Sequence, residues 1–153
     1  NNEMDDFSIY PGLPNAFGLI GAENNSIAPG KRPLSSMSPT IVLDGSGRPV
    51  MTLGAAGGPK IISQVVLTIV RVIDFGQPLA EALGRPRFHH QWRPDVVIYE
   101  KGLEQAIVEG LRKRGHRMES VSSSGQTQAI MRDKDGSFIG LSDPRGQGSA
   151  AGL

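Results

Sequence analysis

Residues 1–39 show little apolar repeat of period two or 3.6 and read as extended, loop-rich polypeptide. The pattern changes at Thr40. Thr40-Ile41-Val42-Leu43 predicts a strand and Pro49-Val50-Met51-Thr52-Leu53 a second one. Between them, Asp44-Gly45-Ser46-Gly47 carries turn chemistry, since Asp-Gly and Gly accept positive φ, so the pair predicts a β-hairpin. Over residues 60–75, apolar side chains fall at 61, 62, 65, 66, 69, 70, 72 and 73. That spacing predicts a helix buried on most of its surface, with Gly76 as C-cap. A short helix is expected over residues 78–83, with Pro78 at an early position. Residues 85–92 are expected to be extended and residues 96–99 to form a strand. Leu103, Ile107 and Leu111 recur every four positions with Val108 alongside, which predicts an amphipathic helix over residues 103–114 that Gly115 ends. Residues 117–121, 128–132 and 138–142 read as strands, with a turn at Asp135-Gly136. No internal repeat or domain boundary interrupts this series. The expected fold is α+β: one domain over residues 1–153, a loop-rich segment (1–39) followed by a core (40–153) of antiparallel hairpins packed against helices.

Composition narrows the function classes. The chain has 153 residues, 38% hydrophobic and 20% charged, enough for one domain with a true core. Sixteen basic residues against fifteen acidic ones leave a net charge of +1, which gives no electrostatic case for nucleic acid or an anionic membrane. There are no cysteines, which rules out a disulfide, a thiolate nucleophile and a cysteine metal site. The longest apolar run is broken by Arg71 and is too short to cross a bilayer. The first residues are neither basic nor apolar, so no signal peptide is expected in this chain. Five of the prolines lie within residues 10–39, and a long irregular stretch of this kind is expected to serve a site or a larger assembly.

Four segments could carry chemistry. Gly54-Ala55-Ala56-Gly57-Gly58 lies between a predicted strand and a long predicted helix. Glycines there admit close approach to the backbone, and outward N–H groups at the helix start would hold a carboxylate, a phosphate or a developing oxyanion; a plain structural turn is the alternative. It is neither a Walker loop nor a dinucleotide fingerprint. Lys31-Arg32-Pro33-Leu34-Ser35-Ser36-Met37-Ser38-Pro39-Thr40 sets two adjacent hydroxyls between prolines, which suits either an anion or a polar loop whose serines serve their own backbone. Asn1-Asn2-Glu3-Met4-Asp5-Asp6-Phe7 could bind an ammonium group or be a solvated acidic stretch; EF-hand spacing is absent. His89 and His90, adjacent on an extended segment, face opposite ways, share no metal and read as structural; His116 reads as a surface residue.

Taken in order, NNEMDDFS (1–8), PGLPNAFGLIG (11–21), KRPLSSMSPT (31–40), GAAGG (54–58), RPRFHHQW (85–92) and SDPR (142–145) cover nearly the whole chain and resemble the γ-glutamyltranspeptidase family. KRPLSSMSPT is the most specific single motif. The resemblance implies an N-terminal nucleophile hydrolase with an αββα sandwich, of which this chain supplies only part. It implies a precursor that cuts itself into large and small subunits and frees a threonine, whose own α-amine serves as base while its hydroxyl attacks a γ-glutamyl amide. Residue by residue, it assigns Glu3 and Asp6 to the donor's α-amino group, Ser35 and Ser36 to its α-carboxylate, and the N–H groups of Gly57 and Gly58 to the oxyanion hole. Asp5 receives no ligand role. Neither a metal nor a cofactor is implied. The nucleophilic threonine, an asparagine-bearing strand and the large-subunit arginine that meets the donor carboxylate match nothing in this chain, and Asn1 is no substitute nucleophile. The expected partners are therefore the large subunit, the upstream small-subunit segment and a small γ-glutamyl substrate, with this chain inactive alone. A periplasmic or extracellular location follows from the family. A related acylase of glutaryl-type amides and a non-catalytic amino-acid-binding module are the alternatives.

Overall fold

The computed structural model describes residues 3–152, so Asn1 and Asn2 of the acidic motif lie outside the described residues. Among the described residues, seven strands and three helices follow two single 3-10 turns, Met4–Asp6 and Glu23–Asn25. Within the described residues 3–39, those two turns are the elements present. The strands are β1 (Thr40–Leu43), β2 (Pro49–Ala56), β3 (Phe88–His89), β4 (Val97–Glu100), β5 (Met118–Val121), β6 (Gln126–Arg132) and β7 (Phe138–Leu141); the helices are α1 (Lys60–Ile73), α2 (Leu79–Gly84) and α3 (Gln105–Lys113).

The main sheet is antiparallel throughout, in the order β1-β2-β6-β7. The β1–β2 hairpin turns at Asp44, whose Oδ1 accepts from the N–H of Ser46 (2.9 Å) and of Arg48 (3.0 Å), while Gly47 takes φ 83°. Helix α1 lies on one face of this sheet. Ile61, Val65 and Val72 from the helix meet Met51, Leu53 and Ala129 from the strands, and Leu79, Ala82 and Leu83 of α2 close the core. Gly76 ends α1 as expected: it takes φ 63°, and the N–H of Gln77 reaches back to the carbonyl of Arg71 at 2.9 Å.

Three expectations need correction. Helix α1 is buried on one side only; Ile62, Val66 and Ile73 are each 51% exposed, because the face turned away from the sheet has no described layer over it. The second sheet, β3-β4-β5, is not a set of hairpins: β4 and β5 run parallel, with α3 in the connection between them, because two strands entering from the same end need a crossover. In α3 the buried residue is Val108, while Ile107 is 44% exposed, so the narrow side of the stripe faces inward.

Candidate active site

Strand β2 runs three residues farther than the sequence suggests. Gly54, Ala55 and Ala56 pair with Gln128, Thr127 and Gln126 as regular strand, and the connection to α1 is only Gly57-Gly58-Pro59. Gly57 takes φ 142° and Gly58 φ 58°, conformations that a side chain resists. The start of α1 is not an open row of donors. Pro59 has no N–H, and the N–H groups of Lys60 and Ile61 donate to the carbonyls of Gly57 (3.2 Å) and Gly58 (3.0 Å). The first N–H groups of the helix are thus spent inside the turn.

A cavity of about 310 Å³ opens on this turn. Glu3, Asp6, Phe17, Ser36, Met37, Ala55, Ala56, Gly57, Gly58 and Ile61 line it. Four segments therefore meet at one place: the acidic segment, the proline-rich loop at Phe17, Ser36 with Met37, and the glycine turn. Ser35 does not line it. It lines an adjoining apolar cavity of about 520 Å³, together with Asp5, Asp6 and Ser36, and its Oγ accepts from the N–H of Met37 at 3.2 Å. Of the two serines, only Ser36 faces both cavities.

The loops hold their places through side chains the sequence did not single out. Asn25 donates to the carbonyl of Asp6 at 2.8 Å and accepts from the N–H of Leu34 at 3.1 Å, tying the acidic segment to the serine loop. Asp5 accepts from the N–H of Ala16 at 2.9 Å, which gives the middle acid a structural task. Asn15 Oδ1 accepts from the N–H groups of Phe17 (3.0 Å) and Leu19 (2.9 Å), closing a tight bend that lays the Phe17 ring against the glycine turn; a Cβ added at Gly58 would sit 2.7 Å from Phe17 Cδ1. Asparagines in loops are common, and nothing in their local spacing separates these two from the rest.

The two motifs without an assigned chemistry form the support beneath. Arg87, 1% exposed, is ion-paired to the equally buried Asp143 and donates to the carbonyls of Gly125 (3.2 Å) and Leu83 (3.2 Å). Arg145 grips Glu100 with two bonds, at 2.8 and 2.6 Å. Burial pushes the Glu100 carboxyl up, but bonds from Arg145 and from the N–H groups of Arg87 and Ser124 outweigh it and hold the group below the usual carboxylate range. Asp143 behaves alike: burial raises it, and the Arg145 N–H, the Arg87 guanidinium and the Thr127 N–H together lower it further. Gln64 on α1, 1% exposed, completes this support by donating to the carbonyl of Ala56 at 3.1 Å. His89 and His90 do face apart: His89 is buried between Ser63 Oγ (2.8 Å) and Gln91 Oε1 (2.9 Å), and His90 bonds Asp95 at 3.0 Å at the surface. Gln91 in turn donates to the carbonyl of Phe17 at 3.2 Å, so this motif also steadies the proline-rich loop. His116 is exposed, as expected.

The family model for gamma-glutamyltranspeptidase matches residues 1–153. The chain belongs to the γ-glutamyltranspeptidase family. It is 47% identical over 145 residues to the glutathione hydrolase proenzyme of Escherichia coli, which covers 95% of this chain and 25% of that protein. Among solved structures, it is similar to Helicobacter pylori γ-glutamyltranspeptidase, with TM-score 0.89 and 44% identity over 95% of this chain and 80% of that one. It is also similar to the Pseudomonas nitroreducens γ-glutamyltranspeptidase complexed with L-DON, with TM-score 0.90 and 39% identity over the whole of this chain and 80% of that one. The chain spans a quarter or less of the length of the first proenzymes it matches. Its α+β architecture is therefore part of the N-terminal nucleophile hydrolase sandwich of this family, and this chain supplies one portion of it.

Proposed function

We propose that this chain builds the donor pocket of a γ-glutamyltransferase and glutathione hydrolase, completed by a large subunit and by an upstream segment that brings the nucleophilic threonine. The observation that carries the reading is the single cavity shared by Glu3, Asp6, Ser36, Gly57 and Gly58. Each group suits one part of a γ-glutamyl donor. Carboxylates accept charge-assisted bonds from an α-ammonium, hydroxyls donate to an α-carboxylate, and backbone N–H groups hold an oxyanion. Ser35, on the neighbouring cavity, joins Ser36 at the carboxylate end by turning its hydroxyl proton outward while its oxygen keeps the Met37 N–H.

The reaction then follows. The threonine α-amine takes the proton of its own hydroxyl as the oxygen attacks the γ-carbonyl carbon. The carbonyl electron pair moves onto oxygen and is held by Gly57 and Gly58. Collapse expels the amine, which leaves with that proton, and an acyl ester remains on the threonine. Water or an amino-acid amine attacks the ester, passes its proton back through the same base and regenerates the threonine. The α-ammonium site weighs against the glutaryl acylase reading, since a donor without an amine would leave Glu3 and Asp6 facing a methylene. The same reading puts the enzyme in the periplasm or outside the cell.

The test uses the complete, processed protein with γ-glutamyl and glutaryl anilides. Asp6→Ala removes one partner of the ammonium and should weaken the γ-glutamyl donor by about 1.5–3 kcal/mol, while leaving any glutaryl turnover unchanged. Equal loss for both donors, or wild-type preference for the glutaryl anilide, would overturn the assignment.

A further inference from the structure

We infer that Gln64 is a positioning residue for the oxyanion donor of Gly57, an inference that rests on the oxyanion role proposed above. Gln64 sits in the second turn of α1, buried, with both ends of its amide engaged. Oε1 accepts from Thr127 Oγ1 at 3.1 Å and from Arg87 Nη1 at 3.3 Å. A guanidinium can only donate, so Oε1 must face it and Nε2 must face the Ala56 carbonyl. A flipped amide would set two donors against each other and two acceptors against each other. Arg87 is itself fixed by Asp143 and the carbonyls of Leu83 and Gly125, so the orientation of the Gln64 amide is determined from behind.

The consequence lies in the geometry of one peptide unit. The Ala56 carbonyl and the Gly57 N–H belong to the same trans peptide and point in opposite directions. Drawing the carbonyl inward to Gln64 turns the Gly57 N–H outward. Ala56, Gly57 and Gly58 line the cavity that Glu3 and Asp6 also line. The next peptide is held independently, since the Gly57 carbonyl accepts from the Lys60 N–H and so fixes the Gly58 N–H. The two donors therefore have separate anchors: the helix backbone for Gly58 and one side chain for Gly57. Ala56 is the last residue of β2 to pair with β6, so beyond it the strand ladder no longer holds the chain. Loss of the Gln64 bond there leaves a glycine that resists rotation of the Ala56–Gly57 peptide weakly, and rotation would present a carbonyl oxygen where negative charge develops. The fit is close, because a Cβ at Gly57 would lie 3.0 Å from Gln64 Nε2.

The experiment compares Gln64→Met, which keeps the length of the side chain and loses the donor, with the wild type in the complete processed enzyme. Active sites are titrated with a covalent glutamine analogue. Hydrolysis of a γ-glutamyl anilide should lose about tenfold or more in kcat, with KM held within about twofold. A γ-boronate analogue of glutamate, whose tetrahedral adduct carries the anionic oxygen, should lose affinity by the same factor, whereas glutamate itself should bind as before. Thr127→Val removes one of the two donors that orient Oε1 and should reproduce the pattern at smaller amplitude; it decides the matter if Gln64→Met does not fold. Unchanged kcat and boronate affinity, a change in KM alone, or a lower Tm with normal turnover per titrated site would overturn the inference. A wild type that neither hydrolyses the anilide nor binds the boronate would instead overturn the oxyanion reading on which it rests.

Discussion

A side chain at position 58 would meet two obstacles of different size. The backbone there takes φ 58°, which costs an L-residue roughly 1–2 kcal/mol. The added Cβ would also sit 2.7 Å from Phe17 Cδ1 and 2.9 Å from Cε1, and the ring must move out of the cavity wall it forms. The second effect governs the site, since strain in φ lowers stability without displacing a cavity residue. Gly58→Ala should therefore cut γ-glutamyl turnover about tenfold or more, and in a Phe17→Ala background it should do little further harm. A double-mutant cycle on kcat/KM measures the coupling, and simple additivity of the two losses would refute the clash. The residue types needed here were visible in the sequence: two acids, two hydroxyls and two glycines. Their partners were not. Asn15, Asn25 and Gln64 donate to the carbonyls of Asp5, Asp6 and Ala56, which lie 10, 19 and 8 residues back along the chain, and no local spacing marks those contacts.

At the level of elements, most boundaries follow from turn and cap chemistry. The hairpin turn at Asp44 and the left-handed Gly76 fall where the residue types require, because their geometry is set by bonds within a few residues. A Cβ at Gly76 would meet nothing within 4 Å, so Gly76→Ala isolates the backbone term. It should cost about 1 kcal/mol and lower the thermal midpoint of the complete protein by a few degrees, with kcat unchanged. Helix α1 shows where such reading ends. Its eight apolar positions predict burial nearly all round, and the sheet covers only the side carrying Ile61, Val65 and Val72. Ile62, Val66 and Ile73 remain half exposed, as a helix that packs against a further layer outside this chain would leave them. That layer is what the proposed large subunit would provide. The parallel pairing of β4 with β5 was also beyond the pattern, since a strand reads the same in either direction.

Across the whole molecule, the buried charges link the two sheets and α2. Arg87 and Arg145 both donate to the Leu83 carbonyl, while their carboxylate partners come from residues 100 and 143. Both Glu100 and Asp143 have folded pKa values below their ordinary ones. A depressed carboxylate adds stability above its unfolded pKa and loses it as pH falls through the folded value. The complete protein should accordingly keep its thermal midpoint down to about pH 5 and lose stability steeply below about pH 4. Asp143→Asn leaves Arg87 buried without its counter-charge, so the midpoint at pH 7 should already be lower, by about 3 kcal/mol of stability, and the acid dependence flatter. Thermal scans of both proteins across this range provide the check; parallel curves would show that Asp143 contributes nothing through its charge.

What the sequence determined by itself was the vocabulary: where strands and helices lie, which residues can turn the chain, and which side chains can meet an ammonium, a carboxylate or an oxyanion. Periodicity and turn chemistry act over a few residues, and they are written in the chain directly. Tertiary structure decided which of those groups meet. It brought Glu3, Asp6, Ser36 and the glycine turn to one cavity, set Ser35 beside it, and turned the N–H groups of Lys60 and Ile61 at the start of α1 back onto the glycine carbonyls. It also gave the RPRFHHQW and SDPR motifs their meaning as a buried ionic support, because a contact across tens of residues depends on how the sheets pack and leaves no local pattern.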